Sequence, residues 1–219
     1  MSRLFLFDLD GTLVNSEAMI LAAQGAAFAA LGLPAPDRTR ALSIVGLSLH
    51  EAFTVLVGPD GPVAALVEAY RVAFARLRQE RRIPEPLYPG IATLIAGLAA
   101  RPDAVLGIAT GKSRRGVGAI LEREGWTTVF RTVQTADDAP SKPDPAMIRR
   151  ACSETGLPPD RTWMIGDSSY DMAMARAAGA RAIGVAWGFQ PVEALRAAGA
   201  EVIAADVAAL ATLLAAEHG

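Results

Sequence analysis

The sequence predicts a doubly wound α/β fold, a parallel sheet with helices on both faces, carrying an inserted α-helical domain. Three observations predict it. Short apolar runs alternate with helix-like stretches, three of those runs end at Asp8, Thr110 and Asp167, and roughly ninety residues separate the first run from the second. Near-continuous apolar runs are the mark of strands covered on both faces, and strand–helix alternation is the pattern of a parallel sheet. Ligands of such sheets sit beyond the carboxyl ends of the strands, which is where those three polar residues fall.

The runs read as strands are Arg3–Asp8 (RLFLFD), Ala104–Thr110, Trp163–Asp167 and Arg181–Ala186. A crossover between parallel strands needs only about a dozen residues, so the long interval after Asp8 must hold something else. Within it, Glu17–Leu31 reads as an alanine-rich helix stopped by Gly32 and Pro34. Ser43–Val57 and Pro62–Arg82 read as further helices, punctuated by Gly58, Pro59 and Gly61. No strand-like alternation occurs there, so a small helical bundle is expected from Asn15 to Pro84, with Tyr88-Pro89-Gly90 as the return. The expected division is an α/β core of residues 1–14 and 85–219 and a helical domain of residues 15–84. A helix is expected over Ala146–Thr155, and Val202–Ala216 reads as a last short strand and a closing helix.

Composition narrows the class. Of 219 residues, 52% are apolar and 20% charged, a core-building chain rather than a disordered one. With 21 Lys+Arg against 23 Asp+Glu the net charge is −2, which gives no basis for a nucleic-acid or membrane-surface binder. The mean hydropathy of +0.28 comes largely from alanine. Carboxylates interrupt MSRLFLFDLD too soon for a signal sequence, and no run of about 18 uncharged apolar residues suggests a membrane span. Cys152 is the only cysteine, so an internal disulfide and a cysteine-cluster metal site are excluded, and two histidines argue against a His-rich zinc centre. A soluble cytoplasmic protein, monomer or homodimer, is the expectation.

The chemistry gathers at the strand ends. Asp8-Leu9-Asp10-Gly11-Thr12 sets two carboxylates beside a glycine turn. Such a pair is often no more than a polar turn, but held together the two repel, and a hard divalent cation such as Mg²⁺ with oxygen ligands is the physical remedy. A metal-held Asp can attack phosphorus while its neighbour handles the proton. In Gly166-Asp167-Ser168-Ser169-Tyr170-Asp171, a helix starting near Ser168 would bring Asp171 to the same edge as Asp167. Either acid also suits the cap of that helix; with Asp8 and Asp10 they make four carboxylates, and a cation site is expected. Gly107 and Gly111 have three residues between them where a Walker A loop has four, so an ATP-binding P-loop is rejected. Thr110 and Gly111 still offer a hydroxyl and backbone N–H groups suited to phosphate. Lys142, in Ser141-Lys142-Pro143-Asp144-Pro145, is stiffened by the proline after it and would balance charge near the carboxylates.

Taken together, DLDGTLV at Asp8–Val14, the strand end at Thr110, the SKPDP loop around Lys142 and GDSSYD through Asp171 resemble the four motifs of the haloacid dehalogenase superfamily, in order, from residue 3 to about 190. Trp187-Gly188 sits where the phosphoglycolate-phosphatase-like branch often has such a step. The resemblance implies that Asp8 is the nucleophile, forming an aspartyl-phosphate, and that Asp10 is the general acid/base whose carbonyl also binds Mg²⁺. It implies that Thr110 and Lys142 hold the phosphoryl group, that Asp167 ligates the metal, and that Asp171 supports it through water or Lys142. The insert then corresponds to a mobile cap, within which Arg40 and Val45-Gly46-Leu47-Ser48 occupy the region that recognises substrate; His50 is close in sequence.

The implied activity is Mg²⁺-dependent hydrolysis of a small phosphorylated metabolite, phosphoglycolate-like, through an aspartyl-phosphate. Asp10 argues for phosphorus over carbon, since dehalogenases of the superfamily generally lack it. The insert holds no lysine, which argues against Schiff-base phosphonate hydrolysis. A sugar-phosphate mutase of the β-phosphoglucomutase kind is the alternative, and a catalytically silent binding protein is opposed by intact motifs. Asn15 departs from the aspartate common in relatives but caps a helix as well. Cys152 reads as a buried helix residue, His218 as terminal surface, and Arg76, Arg78, Arg81 and Arg82 as a solvated face, a dimer contact or an anion guide.

Overall fold

A computed structural model describes residues 1–216; His218 lies outside the described residues. Strand β1 (Arg3–Phe7) is followed by α1 (Glu17–Ala30), α2 (Arg38–Ser43), α3 (Leu49–Val57) and α4 (Val63–Glu80). The chain then runs α5 (Ile91–Ala99), β2 (Ala104–Ala109), α6 (Arg114–Glu124), β3 (Thr132–Gln134), α7 (Ala146–Thr155) and β4 (Thr162–Gly166). It closes with α8 (Ser169–Ala178), β5 (Arg181–Val185), α9 (Val192–Ala198), β6 (Val202–Ala204) and α10 (Val207–Ala216).

The strands form one parallel sheet in the order β3-β2-β1-β4-β5-β6. Alternation along β1 divides the core. Phe5 and Phe7 point to the layer made by α5, α6 and α10, with Ile95, Ile120 and Leu214 in it. Leu4 and Leu6 point to the other, packed on Met147, Met172 and Leu195 of α7, α8 and α9. The strand order reverses between β1 and β4, the place where such sheets open a crevice at their carboxyl edge. Asp8 follows β1 there and Asp167 follows β4, and the Asp8 N–H donates to the Ile165 carbonyl at 2.9 Å, tying the two ends together.

Helices α1–α4 bury a cluster of their own, including Phe28, Phe53, Leu56 and Leu66, separate from both sheet layers. Entry and exit are paired: the Asn15 N–H donates to Pro86 O at 2.8 Å and the Tyr88 N–H to Leu13 O at 3.1 Å. Asn15 Oδ1 also accepts from the Glu17 N–H at 3.4 Å, at the start of α1.

Two expectations need correction. The helix read over Ser43–Val57 forms only over Leu49–Val57: Ser43 ends α2, which starts at Arg38, and Ile44–Ser48 is a loop in which Gly46 takes φ +106°, a conformation side chains disfavour. Strand β3 was not expected; at three residues it has too few positions to show a period. Leu6, fully buried on the central strand, tests the core: Leu6→Ala should lower the unfolding free energy by about 2–5 kcal/mol in urea titration, and a change under about 1 kcal/mol would contradict this packing.

Candidate active site

Asp8, Asp167 and Asp171 are all buried, and each offers a carboxylate oxygen within 4.8 Å of the others. Lys142, also buried, lies between them, its Nζ 2.5 Å from Asp171 Oδ1 and 3.1 Å from Asp8 Oδ1. Removing four ionic groups from water is costly unless each is partnered, and most of the remaining polar atoms are. Asp167 Oδ1 accepts from the Thr12 hydroxyl at 2.9 Å and Oδ2 from the Phe189 N–H at 2.8 Å. Asp171 Oδ2 accepts from the Ser168 N–H and hydroxyl in a capping box at the start of α8. Gly188 is required beside this site: a Cβ there would stand 2.1 Å from the Asp167 Cβ.

The electrostatics follow from the burial. Desolvation, opposed by Lys142 and reinforced by Asp171 and Asp10, pushes the Asp8 carboxyl up to about 7. Desolvation and the two neighbouring carboxylates hold Asp167 well above the usual carboxylate range. Burial works against the Lys142 ammonium, but Asp171 and Asp8 outweigh it and its pKa is raised. Three acids around one ammonium leave an excess of negative charge, and an all-oxygen donor set suits a hard divalent cation. The residues fit such an ion.

Asp10 does not join this group, so four clustered carboxylates become three. Its carboxylate is held by Lys112 Nζ at 2.8 and 2.9 Å, on the side facing the insert. Lys112 Nζ also lies 3.9 Å from Glu85 Oε1, and Glu85 pairs with Arg78 of α4 at 2.9 Å. Neither Lys112 nor Glu85 was singled out from the sequence; Lys112 was visible only in the rejected P-loop, and Glu85 carried no signal.

Above the carboxylates opens a cavity of about 1280 Å³ shared by the core and the insert. Asp8, Asp10, Thr110, Gly111, Gly46 and His50 all border it. The insert is seated on the core there: a Cβ on Gly111 would meet the Gly46 and Leu47 carbonyl oxygens at 2.5 Å, and the Ser48 N–H donates to Ser141 Oγ at 2.8 Å. Arg40 is a correction. It is exposed on α2, off the cavity wall, with its guanidinium donating to Leu56 O at 2.8 Å. Of the arginine group, Arg78 departs from the solvated-face reading, lying half-buried over Phe74 at 5.1 Å on the cavity wall; Arg81 borders the cavity but is exposed, and Arg76 and Arg82 stay outside near Glu80. Trp187 Nε1 donates to Thr12 O at 3.1 Å, and Cys152 is buried in α7, its Sγ 3.4 Å from Thr162 Oγ1.

A family model described as haloacid dehalogenase-like hydrolase matches residues 5–185. The chain belongs to that family. It is 37% identical over 207 residues to a probable phosphatase, IndB, of Dickeya dadantii, covering 93% of this chain and 89% of the relative. It is 33% identical to a phosphoglycolate phosphatase of Chromobacterium violaceum, covering 95% and 94%. The crystal structure of a hydrolase from Pseudomonas syringae superposes with a TM-score of 0.85 at 27% identity, covering 98% and 99%. This haloacid dehalogenase-like hydrolase is thus an enzyme of the phosphatase kind, with the α/β architecture of its structural relatives. Among its described residues no helix is long and apolar enough to cross a membrane.

The raised carboxyl of Asp8 gives a signed expectation. An acid whose folded pKa lies above its unfolded value of 3.8 contributes stability below that value and loses it as pH rises through about 7. A divalent cation competes with that proton, so it should raise the melting temperature more at about pH 8 than at about pH 5.5. Asp8→Asn should shrink the difference; an equal shift at both pH values in the wild type would contradict the assignment.

Proposed function

We propose that the protein is a Mg²⁺-dependent phosphatase that hydrolyses a small phosphorylated metabolite through a phosphorylated Asp8. The observation carrying this is the buried Asp8 carboxylate, 3.1 Å from Lys142 at the floor of a large cavity and grouped with two further carboxylates.

Asp8, Asp167 and the Asp10 carbonyl would hold the cation, with Asp171 fixing Lys142. When bound, the cation supplies positive charge that neutralises Asp8 and the phosphate. Lys142 Nζ, with the Thr110 hydroxyl and the backbone N–H groups after it, orients the phosphoryl oxygens and draws off their charge. An Asp8 carboxylate oxygen attacks phosphorus, the bond to the leaving oxygen breaks, and Asp10 gives that oxygen a proton. Asp10 then takes a proton from water as the water attacks phosphorus, and the Asp8–phosphorus bond breaks to release phosphate. One residue serves as acid and then as base because the two half-reactions need opposite transfers. Residues 15–84 act as a cap that swings about the paired segments at 13–15 and 86–88, closing to exclude water and opening to release product. Gly46 and Gly111 are then a contact between cap and core as well as part of the substrate's surroundings.

The test is phosphate release from a panel of esters with and without Mg²⁺. Phosphoglycolate, the substrate in the name of the Chromobacterium relative, belongs in the panel. Wild-type release should need the cation, and Asp8→Asn should lose at least about a thousandfold in kcat. Asp10→Asn should slow turnover by about 10²–10⁴-fold, the range expected for a general acid/base. Formation of an isomeric phosphate in place of free phosphate would instead support a mutase.

A further inference from the structure

Asp8 and Asp10 leave the same strand end, yet their carboxylates part: one joins Asp167 and Asp171, the other meets Lys112. The Lys112 side chain is only 10% exposed, and both Asp10 oxygens accept from its Nζ, at 2.8 and 2.9 Å. A lysine ammonium is a point charge on a flexible stem, so it must itself be held before it can hold a carboxylate. The stem lies against Gly116 of α6, where a Cβ would stand 2.9 Å from the Lys112 Cγ; the glycine leaves the room that the lysine uses.

The head is held from the insert and its return segment. Nζ lies 5.2 Å from the centroid of the Phe74 ring of α4 and 3.9 Å from Glu85 Oε1. Glu85 is held from α4 in turn, its Oε2 accepting from Arg78 Nη2 at 2.9 Å and Nε at 3.3 Å. Its Oε1 is buried and accepts no hydrogen bond, which is disfavoured and calls for an explanation. Lys112 supplies one: its charge faces Oε1 while its donors go to Asp10. A carboxylate has about four acceptor sites, and Lys112 takes one on each oxygen. Asp10 alone of the four carboxylates stays partly exposed, with 13% of its side chain open, and it borders the cavity.

We propose that Lys112 is the positioning residue for Asp10, keeping that carboxylate apart from the buried three and turned to the cavity, and that the insert secures Lys112 there through Phe74 and Glu85. This rests on the phosphatase reading and adds to it the contact by which the seating of the cap reaches the proton-transfer residue. Misplacing such a group by about 1 Å can cost about a hundredfold in rate.

The test separates esters whose leaving oxygen needs a proton from one whose leaving group departs without it. The probes are the best alkyl phosphate of the panel and para-nitrophenyl phosphate, and kcat/KM is read because it reports the step in which the alcohol leaves. Lys112→Met keeps the stem and removes the charge. It should lower kcat/KM about 10–100-fold for the alkyl ester and less than about threefold for para-nitrophenyl phosphate, the pattern of Asp10→Asn in weaker form. Glu85→Gln should show the same selective fall, and Lys112→Met with Glu85→Gln should be no slower than Lys112→Met, because Glu85 acts through the lysine. An equal fall for both esters, an alkyl ester unaffected by Lys112→Met, or additive losses in the double variant would overturn the proposal. If wild type hydrolyses no ester, or Asp10→Asn slows both esters alike, the phosphatase reading fails by itself, and urea unfolding then reads the hold. Midpoint losses for Asp10→Asn and Lys112→Met that fail to add support it, and losses that add refute it.

Discussion

Everything at the carboxyl edge of the sheet depends on keeping three carboxylates and one ammonium buried together. The backbone provides for it before any ligand arrives. Strands β1 and β4 are neighbours where the strand order reverses, so the residue after each lands in one crevice, and the Asp8 N–H donates to Ile165 O across it. Lys142 spans Asp8 and Asp171; Thr12 and the Phe189 N–H hold Asp167; the first turn of α8 holds Asp171. Removing one partner from such a set costs far more than the set itself contributes, since it leaves a buried charge uncompensated. The same surplus of negative charge that burdens the fold makes the site ready for a cation.

The insert completes what the core begins. The core alone offers an open strand end; with Gly46 and Leu47 pressed on Gly111 and Ser48 on Ser141, that end becomes the floor of a cavity walled by both core and insert. Lys112, Glu85 and Arg78 run from Asp10 through the return segment to α4 in a chain of opposite charges. The proposed proton-transfer residue is therefore tied to the part of the molecule that would move.

Much of this was legible in the sequence, for reasons that can be named. Buried parallel strands are nearly all apolar, so a carboxylate at the end of one stands out, as Asp8 and Asp167 do. A lysine before proline stood out in the same way, and it does sit between Asp8 and Asp171. The loop at Ile44–Ser48 was readable in principle from Gly46, but the surrounding apolar pattern continued the helix and masked it. The orientation of Asp10 was not legible, because sequence places a side chain at a strand end without saying which of two neighbouring cations or clusters it will face. Arg40 misled for a related reason: sequence proximity to Gly46 does not put a side chain in the cavity when a helix C-terminus, at Leu56 O, is nearer. Glu85 could not be found at all, since its interest lies in the two cations, Arg78 and Lys112, that the fold brings to it from other elements.

The central claim is that Asp8 becomes covalently phosphorylated, and acid-quenched mass spectrometry during turnover of a reactive phosphate ester tests it most directly. The account predicts one phosphoryl group on the peptide containing Asp8, lost on treatment with hydroxylamine as an acyl phosphate is. Steady turnover with the phosphoryl group on another residue would contradict it.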